Sequence, residues 1–186
     1  MERLLHDSRL PLEKSWQSLD LKRLPTKVVQ QARALLEGSF LDRHENVLIF
    51  GQPGAGKTHL LSAIGQELVR AGRKVLSRKC GLLVQELLAA KRDLKLPGVI
   101  KRLSGCEALI LDDLGSEQNS PWATEKLFQL LNYRYNLCYP TVITTNNLRL
   151  QAVDERIRSR LMDRALVTEV TFERAMDYRP NNPLRG

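Results

Sequence analysis

The octapeptide Gly51-Gln-Pro-Gly-Ala-Gly-Lys-Thr58 follows the apolar run Val47-Leu48-Ile49-Phe50 and leads into the helix-like stretch Leu60-Leu61-Ser62-Ala63-Ile64. A strand that turns through three glycines into a helix leaves few folds open. Gly51, Gly54 and Gly56 let the backbone wrap round a phosphate with no Cβ in the way. The loop N–H groups and the helix N-terminus then face the negative charge. Lys57 is placed to neutralise the β- and γ-phosphates, and Thr58 to offer its hydroxyl to Mg2+. The pattern predicts a P-loop in which Gly51, Pro53, Gly54, Ala55, Gly56, Lys57, Thr58 and His59 surround a nucleoside triphosphate. His59 borders that site and reads as a packed or capping residue rather than a catalytic one.

With 186 residues and 42% hydrophobic content, the chain suits one compact core built without disulfides. Cys80, Cys106 and Cys138 are odd in number and widely spaced, which favours reduced, structural thiols over a disulfide framework or a CxxC metal site. The apolar stretches are too short to span a bilayer, and the N-terminus Met1-Glu2-Arg3-Leu4-Leu5-His6-Asp7 carries acidic residues and no signal-peptide core. The expectation is a cytoplasmic protein without a membrane partner. A formal charge of +8 favours a polyanionic partner, with nucleic acid, an acidic protein and a membrane surface all compatible with charge alone.

Residues 1–23 mix Arg, Pro, Leu and Asp without sustained periodicity and read as an arm over a core of residues 24–186. After Pro25, the positions Val28, Val29, Ala32, Leu35 and Leu36 have helical spacing that Gly38 would stop. Strands are expected near 47–50, 74–77, 108–111, 141–145 and 167–172. Helices are expected near 57–70, 81–92, 97–103, 121–137 and 150–162. This alternation predicts an α/β fold, a parallel five-stranded sheet with helices on both faces.

Ala108-Leu109-Ile110-Leu111-Asp112-Asp113 is a buried-type strand ending in two carboxylates, the pattern of a Walker B element. A carboxylate at the C-terminal end of such a strand lies where ligands collect in a parallel sheet. Asp112 is expected to hold Mg2+ through water, together with Thr58. Asp113 is expected to orient or activate the attacking water. The β-branched run Thr141-Val142-Ile143-Thr144-Thr145 ends in Asn146-Asn147, which brings Asn146 to the same sheet edge. There its amide would bond the water or the γ-phosphate; the competing reading makes both amides turn residues. Arg156 and Arg160 stand four apart, on one helical face.

Taken in order, these motifs resemble the AAA+ ATPases of the IstB/DnaC-like group. That group comprises bacterial helicase loaders and the ATPase helpers of insertion-sequence transposases, relatives of the replication initiator DnaA. The resemblance runs from about Leu10 to Arg179 and is carried by Gly-Gln-Pro-Gly-Ala-Gly-Lys-Thr-His-Leu, Leu-Ile-Leu-Asp-Asp-Leu-Gly, Thr-Thr-Asn, Glu-Arg-Ile-Arg-Ser-Arg-Leu and Asp177-Tyr178-Arg179. It implies a P-loop NTPase of AAA+ type with ATP and Mg2+ as ligands. Asn146 matches the sensor-1 position, and Arg160 the arginine finger that reaches a neighbouring subunit's γ-phosphate, with Arg156 in reserve. Arg179 matches a sensor-2-like arginine beside the nucleotide. A finger in trans implies a homo-oligomer whose turnover depends on assembly.

Three departures qualify the resemblance. Many members carry Glu where this chain has Asp113, so hydrolysis is expected to be slow. The stretch after Thr145 is too short for a helical lid, so no C-terminal lid domain is expected. With the P-loop strand beginning by Val47, the N-terminal partner-binding segment usual in loaders and helpers is not expected within this sequence.

Two helical segments lie between the second and third strands, where a minimal P-loop domain needs one. They carry Lys91, Arg92, Lys95, Lys101 and Arg102 around Pro97-Gly98. In the resembled initiators an extra helix here lines a DNA channel. Such side chains would neutralise phosphates without reading bases, although a solvated charged face reads the same way. No aromatic interleaves this stretch, which argues against base stacking, and Trp122 reads as a packing residue. The sequence places a single-strand-gripping loader of a replicative helicase first. A transposase helper preferring duplex DNA comes second, on the entry Leu10-Pro11-Leu12-Glu13-Lys14-Ser15. A nucleotide-gated interaction module with little hydrolysis comes third.

Overall fold

The computed structural model describes residues 2–116, 120–163 and 167–172. Five strands, β1 (Asn46–Gly51), β2 (Val75–Lys79), β3 (Ala108–Asp112), β4 (Thr141–Thr145) and β5 (Val167–Phe172), form one parallel sheet in the order β2-β3-β4-β1-β5. The helices are α1 (Glu2–Ser8), α2 (Thr26–Leu36), α3 (Ser39–Asp42), α4 (Lys57–Arg70), α5 (Cys80–Arg92), α6 (Leu96–Ser104), α7 (Pro121–Asn136), α8 (Asn147–Ala152) and α9 (Glu155–Leu161). No lid domain is evident among the described residues.

The strands are apolar on both sides because both faces are covered. Val47, Ile49, Ala108, Ile110 and Val142 point into one core with Val28 and Ala32 of α2 and Leu60, Leu61 and Ile64 of α4. Their sequence neighbours Leu48, Leu109, Leu111 and Ile143 point into the other, with Leu83 and Leu87 of α5, Leu103 of α6, Leu127 and Leu130 of α7, and Ile157 of α9. The period-2 alternation of side chains thus builds two cores from one set of strands.

The expected strands are all present: β4 and β5 have the expected bounds, and the ends of β1, β2 and β3 differ by at most two residues. The helix expected over 150–162 is instead two, α8 and α9. Asp154 divides them: its carboxylate accepts the Arg156 N–H at 2.9 Å, so it caps a new helix rather than continuing the old one. At the N-terminus, Leu10 is buried in the first core, and the Gln66 amide donates to the carbonyls of Pro11 and Lys14 at 2.9 and 3.1 Å. The segment after α1 is therefore fastened to α4.

Arg134 of α7 is fully buried. Its guanidinium donates to the carbonyls of Leu103, Ser104, Cys106 and Pro140 at 2.7–3.1 Å and to the Thr141 hydroxyl at 3.1 Å. Every one of these acceptors is neutral, and two lie at the C-terminus of α6, where carbonyl dipoles favour a cation. Burial pushes its pKa below the ordinary arginine value, partly offset by Cys106. Arg134→Met would leave several buried carbonyls unpaired, each costing about 1–3 kcal/mol. The expected loss is about 3 kcal/mol or more in urea unfolding, and a change within 0.5 kcal/mol (roughly that of a surface substitution) would refute this account.

Candidate nucleotide site

The loop 51–56 leaves the C-terminal end of β1 and delivers the chain to α4. Gly51 is required by close approach, since a Cβ there would lie 2.7 Å from Phe172 Cβ on β5. Gly56, at φ +99°, is in a conformation that side chains rarely adopt and precedes the first helical residue, Lys57. The first N–H groups of α4 have no intrahelical acceptor and face an anion in such loops. Lys57 is buried, and its Nζ donates to the carbonyls of Gly51 and Gln52, both at 2.8 Å. The ammonium is thereby held over the loop. Gly54 and Ala55 belong to the same turn, Ala55 buried and Pro53 exposed.

Asp112, at the end of β3, is buried and accepts the Thr58 hydroxyl, whose Oγ1 is 3.0 Å from each carboxylate oxygen. Thr58 and Asp112 are hard oxygen donors that fit Mg2+. Among the described residues no cluster of three or more His, Cys, Asp or Glu could hold a metal. A cation here would therefore complete its shell with phosphate and water.

Thr144, in sequence simply one of a β-branched run, joins these groups. Its hydroxyl donates to Asp112 Oδ1 at 2.5 Å and accepts the Asp113 N–H at 2.8 Å. Its carbonyl accepts the Leu114 N–H at 2.9 Å. These bonds hold Asp113 in a left-handed conformation, φ +66°. The signal was present in principle: a threonine pair closing an otherwise apolar, doubly covered strand needs partners for its hydroxyls. Asn146 follows β4 at this edge, and its carbonyl accepts the Leu150 N–H of α8 at 2.9 Å.

Arg156 and Arg160 share a face of α9 and dock against α7 of their own chain. Arg156 pairs with Glu125 at 2.9 Å and Asp154 at 3.1 Å and lies 4.1 Å from the Phe128 ring centroid. Hydrogen bonds to Asp154 and Glu125 raise its pKa further above the ordinary arginine value. Arg160 donates to the Asn132 side chain at 2.8 Å and the Arg156 carbonyl at 2.7 Å, beside Phe128 and Tyr135. Arg179 lies outside the described residues.

His59 Nε2 sits 2.9 Å from the Ser15 carbonyl and 3.0 Å from Ser18 Oγ, and burial lowers its pKa. The five basic residues between β2 and β3 fall on or beside α5 and α6. Arg92, Lys95 and Lys101 are exposed, and Arg102 pairs with Glu86 at 3.1 Å. Lys91 lies 4.6 Å from the Trp122 ring centroid. Tertiary packing thus places an aromatic beside a basic stretch that lacks one in sequence, while Trp122 also packs against the second core.

The family model described as IstB-like ATP binding protein matches residues 1–175. This chain belongs to that family. An insertion-sequence ATP-binding protein of Sinorhizobium fredii is 38% identical over 136 residues, covering 73% of this chain and 46% of that protein. The insertion sequence IS21 ATP-binding protein of Pseudomonas aeruginosa is 36% identical over 150 residues, covering 79% of this chain and 55% of its own length. The chain spans about half the length of these relatives. Among solved structures, DnaI superposes with a TM-score of 0.71 at 24% identity, covering 88% of this chain and 94% of DnaI. The DnaC helicase loader gives 0.69 at 24%, covering 79% and 89%. The fold is that of AAA+ P-loop proteins. For this ATP-binding family, the loop, Lys57 and the Thr58–Asp112–Thr144 cluster are the candidate nucleotide site.

Thr144→Val removes a donor from buried Asp112 and an acceptor from the Asp113 N–H. Urea unfolding is expected to show a loss of about 1–3 kcal/mol. Thr144→Ser should recover most of it, and equal losses in both variants would show that the methyl, rather than the hydroxyl, matters.

Proposed function

We propose that this chain is the ATPase core of an insertion-sequence transposition helper, binding and hydrolysing Mg·ATP and assembling on duplex DNA beside a transposase. The observation that carries the reading is a nucleotide site built on an IstB-like chain whose 34–38% identical relatives are insertion-sequence ATP-binding proteins. The helicase-loader reading, placed first from sequence, rests on DnaC and DnaI, whose likeness at 24% identity speaks to fold alone. The order of the two is therefore reversed.

In this proposal the loop N–H groups and Lys57 bind the phosphates. Thr58 and Asp112 hold Mg2+, which when bound would neutralise phosphate charge, and Thr144 fixes the Asp112 carboxylate. Asp113 orients the attacking water, with Asn146 bonding the water or γ-phosphate. Arg160 is the finger offered to a neighbouring subunit: its acceptors are an amide and a carbonyl, whereas Arg156 would have to leave two carboxylates. The basic residues Lys91, Arg92, Lys95, Lys101 and Arg102 contact DNA phosphates.

Two sets of measurements test the proposal. Lys57→Ala should abolish saturable ATP binding. Asp113→Asn should keep it while losing hydrolysis, since Asn is tolerated at a left-handed position and only the charge is removed. Equal hydrolysis by wild type and Asp113→Asn would favour a nucleotide-gated module instead. Fluorescence polarisation with matched single- and double-stranded oligonucleotides in Mg·ATP and Mg·ADP, at two salt concentrations, should show ATP-dependent duplex preference that weakens with salt. ATP-dependent single-strand preference would restore the loader reading.

A further inference from the structure

A groove of about 1500 Å3 runs between α1, α6 and α7, with the start of β2 in its wall. It is remote in sequence from the P-loop, and β2 enters it by Lys74, Val75 and Leu76, the end opposite the C-terminal strand edge that carries Asp112. Leu4 and Ile100, partly buried, and Tyr133, half exposed, form its apolar wall over a floor of the buried core residues Val75, Leu76 and Leu130.

The charges around that lining are one-sided. Arg3, Arg9, Lys74, Lys101, Arg102 and Lys126 line the groove against one carboxylate, Asp7. Arg3 lies 3.8 Å from Asp7, and Arg9 and Arg102 share Glu86 at 3.3 and 3.1 Å. Burial pushes the Glu86 carboxyl up, but its bond to Arg78 and the charges of Arg78, Arg9 and Arg102 together hold it below the ordinary carboxylate range. That carboxylate is thus already shared among three arginines. Among the described residues Lys74, Lys101 and Lys126 have no carboxylate at ion-pair distance.

We propose that this groove docks an acidic amphipathic helix of a partner protein. The volume exceeds the roughly 300–1,000 Å3 of small-molecule sites. It corresponds to about a dozen residues of a helix 10 Å across that rises 1.5 Å per residue. A strand joining the sheet edge is disfavoured because α1 packs against β2. A phosphate backbone would satisfy the basic rim but not the apolar lining, whereas a helix with Leu on one face and Glu on its flanks complements both.

The probe is a fluorescein-labelled 14-residue peptide with Leu at i, i+3, i+4 and i+7 and Glu elsewhere, titrated by anisotropy into the full chain. Saturable binding is expected, weakened at least tenfold when Glu is replaced by Lys. The double variant Lys74→Glu/Lys126→Glu, checked for wild-type thermal unfolding, should also weaken it at least tenfold. Both lysines lie outside the proposed nucleotide site, so ATP binding should be unchanged and a failure here stays separate from a failure of the ATPase reading. Duplex binding is not the control, because Lys101 and Arg102, proposed DNA contacts, line the same groove. Tyr133→Ala, a neutral change in the same groove, should weaken binding without altering its salt dependence. Absence of saturable binding, or equal affinity for wild type and the double variant, overturns the proposal. Displacement of the peptide by a single-stranded oligonucleotide that itself loses affinity in the double variant would assign the groove to nucleic acid instead.

Discussion

The buried guanidinium of Arg134 ties together parts of the chain that are far apart in sequence. It gathers the end of α6, the approach to β3 and the start of β4 around a single charge. A cation buried without a carboxylate is tolerable only if its donors are used, and here carbonyl oxygens use them. The consequence reaches the far edge of the sheet. With β3 and β4 entering in fixed register, Leu111 opposite Ile143, the next residues Asp112 and Thr144 meet at bonding distance. Geometry at the candidate site is thus set partly by a residue at the other end of the same strands.

The strand order explains why the site needs so few polar groups. β1, which carries the phosphate loop, lies between β4 and β5, and β4 separates it from β3. Thr58 must therefore reach across to Asp112 from the first turn of α4, and Thr144 on the intervening strand is the natural bridge. Each hydroxyl has one proton to give. Thr58 and Thr144 both direct theirs to Asp112, while Thr144 Oγ1 also takes the Asp113 N–H, so the oxygens around this carboxylate are accounted for.

Much of this was legible in the sequence, for definite reasons. Apolar runs ending in glycine or acid marked β1 and β3. The P-loop fixed which strand ends face the ligand, and that in turn placed Asp112. What escaped was whatever depends on residues distant in sequence. Asp154 reads as one more polar residue in a helical stretch until its carboxylate is seen capping Arg156. Nothing in the sequence sets Arg134 apart from the other arginines; its role comes from three segments closing over it. Thr144 had strand propensity enough to explain its presence without its hydroxyl. Lys91 and Trp122 are far apart in sequence and meet only because α5 packs against α7.

Asp113 shows how sequence and backbone constrain one another. Compared with the Glu common in the resembled group, it looks like the same acid shortened by a methylene. Its backbone, however, is left-handed, a conformation in which Asp and Asn are enriched and longer side chains are disfavoured. The turn exists because Thr144 captures both the Asp113 N–H and the Leu114 N–H, through its hydroxyl and its carbonyl. The aspartate is therefore matched to a chain reversal that β4 imposes. The direction of its carboxylate follows from that reversal as much as from its length, so the missing methylene alone does not measure the reach of this acid.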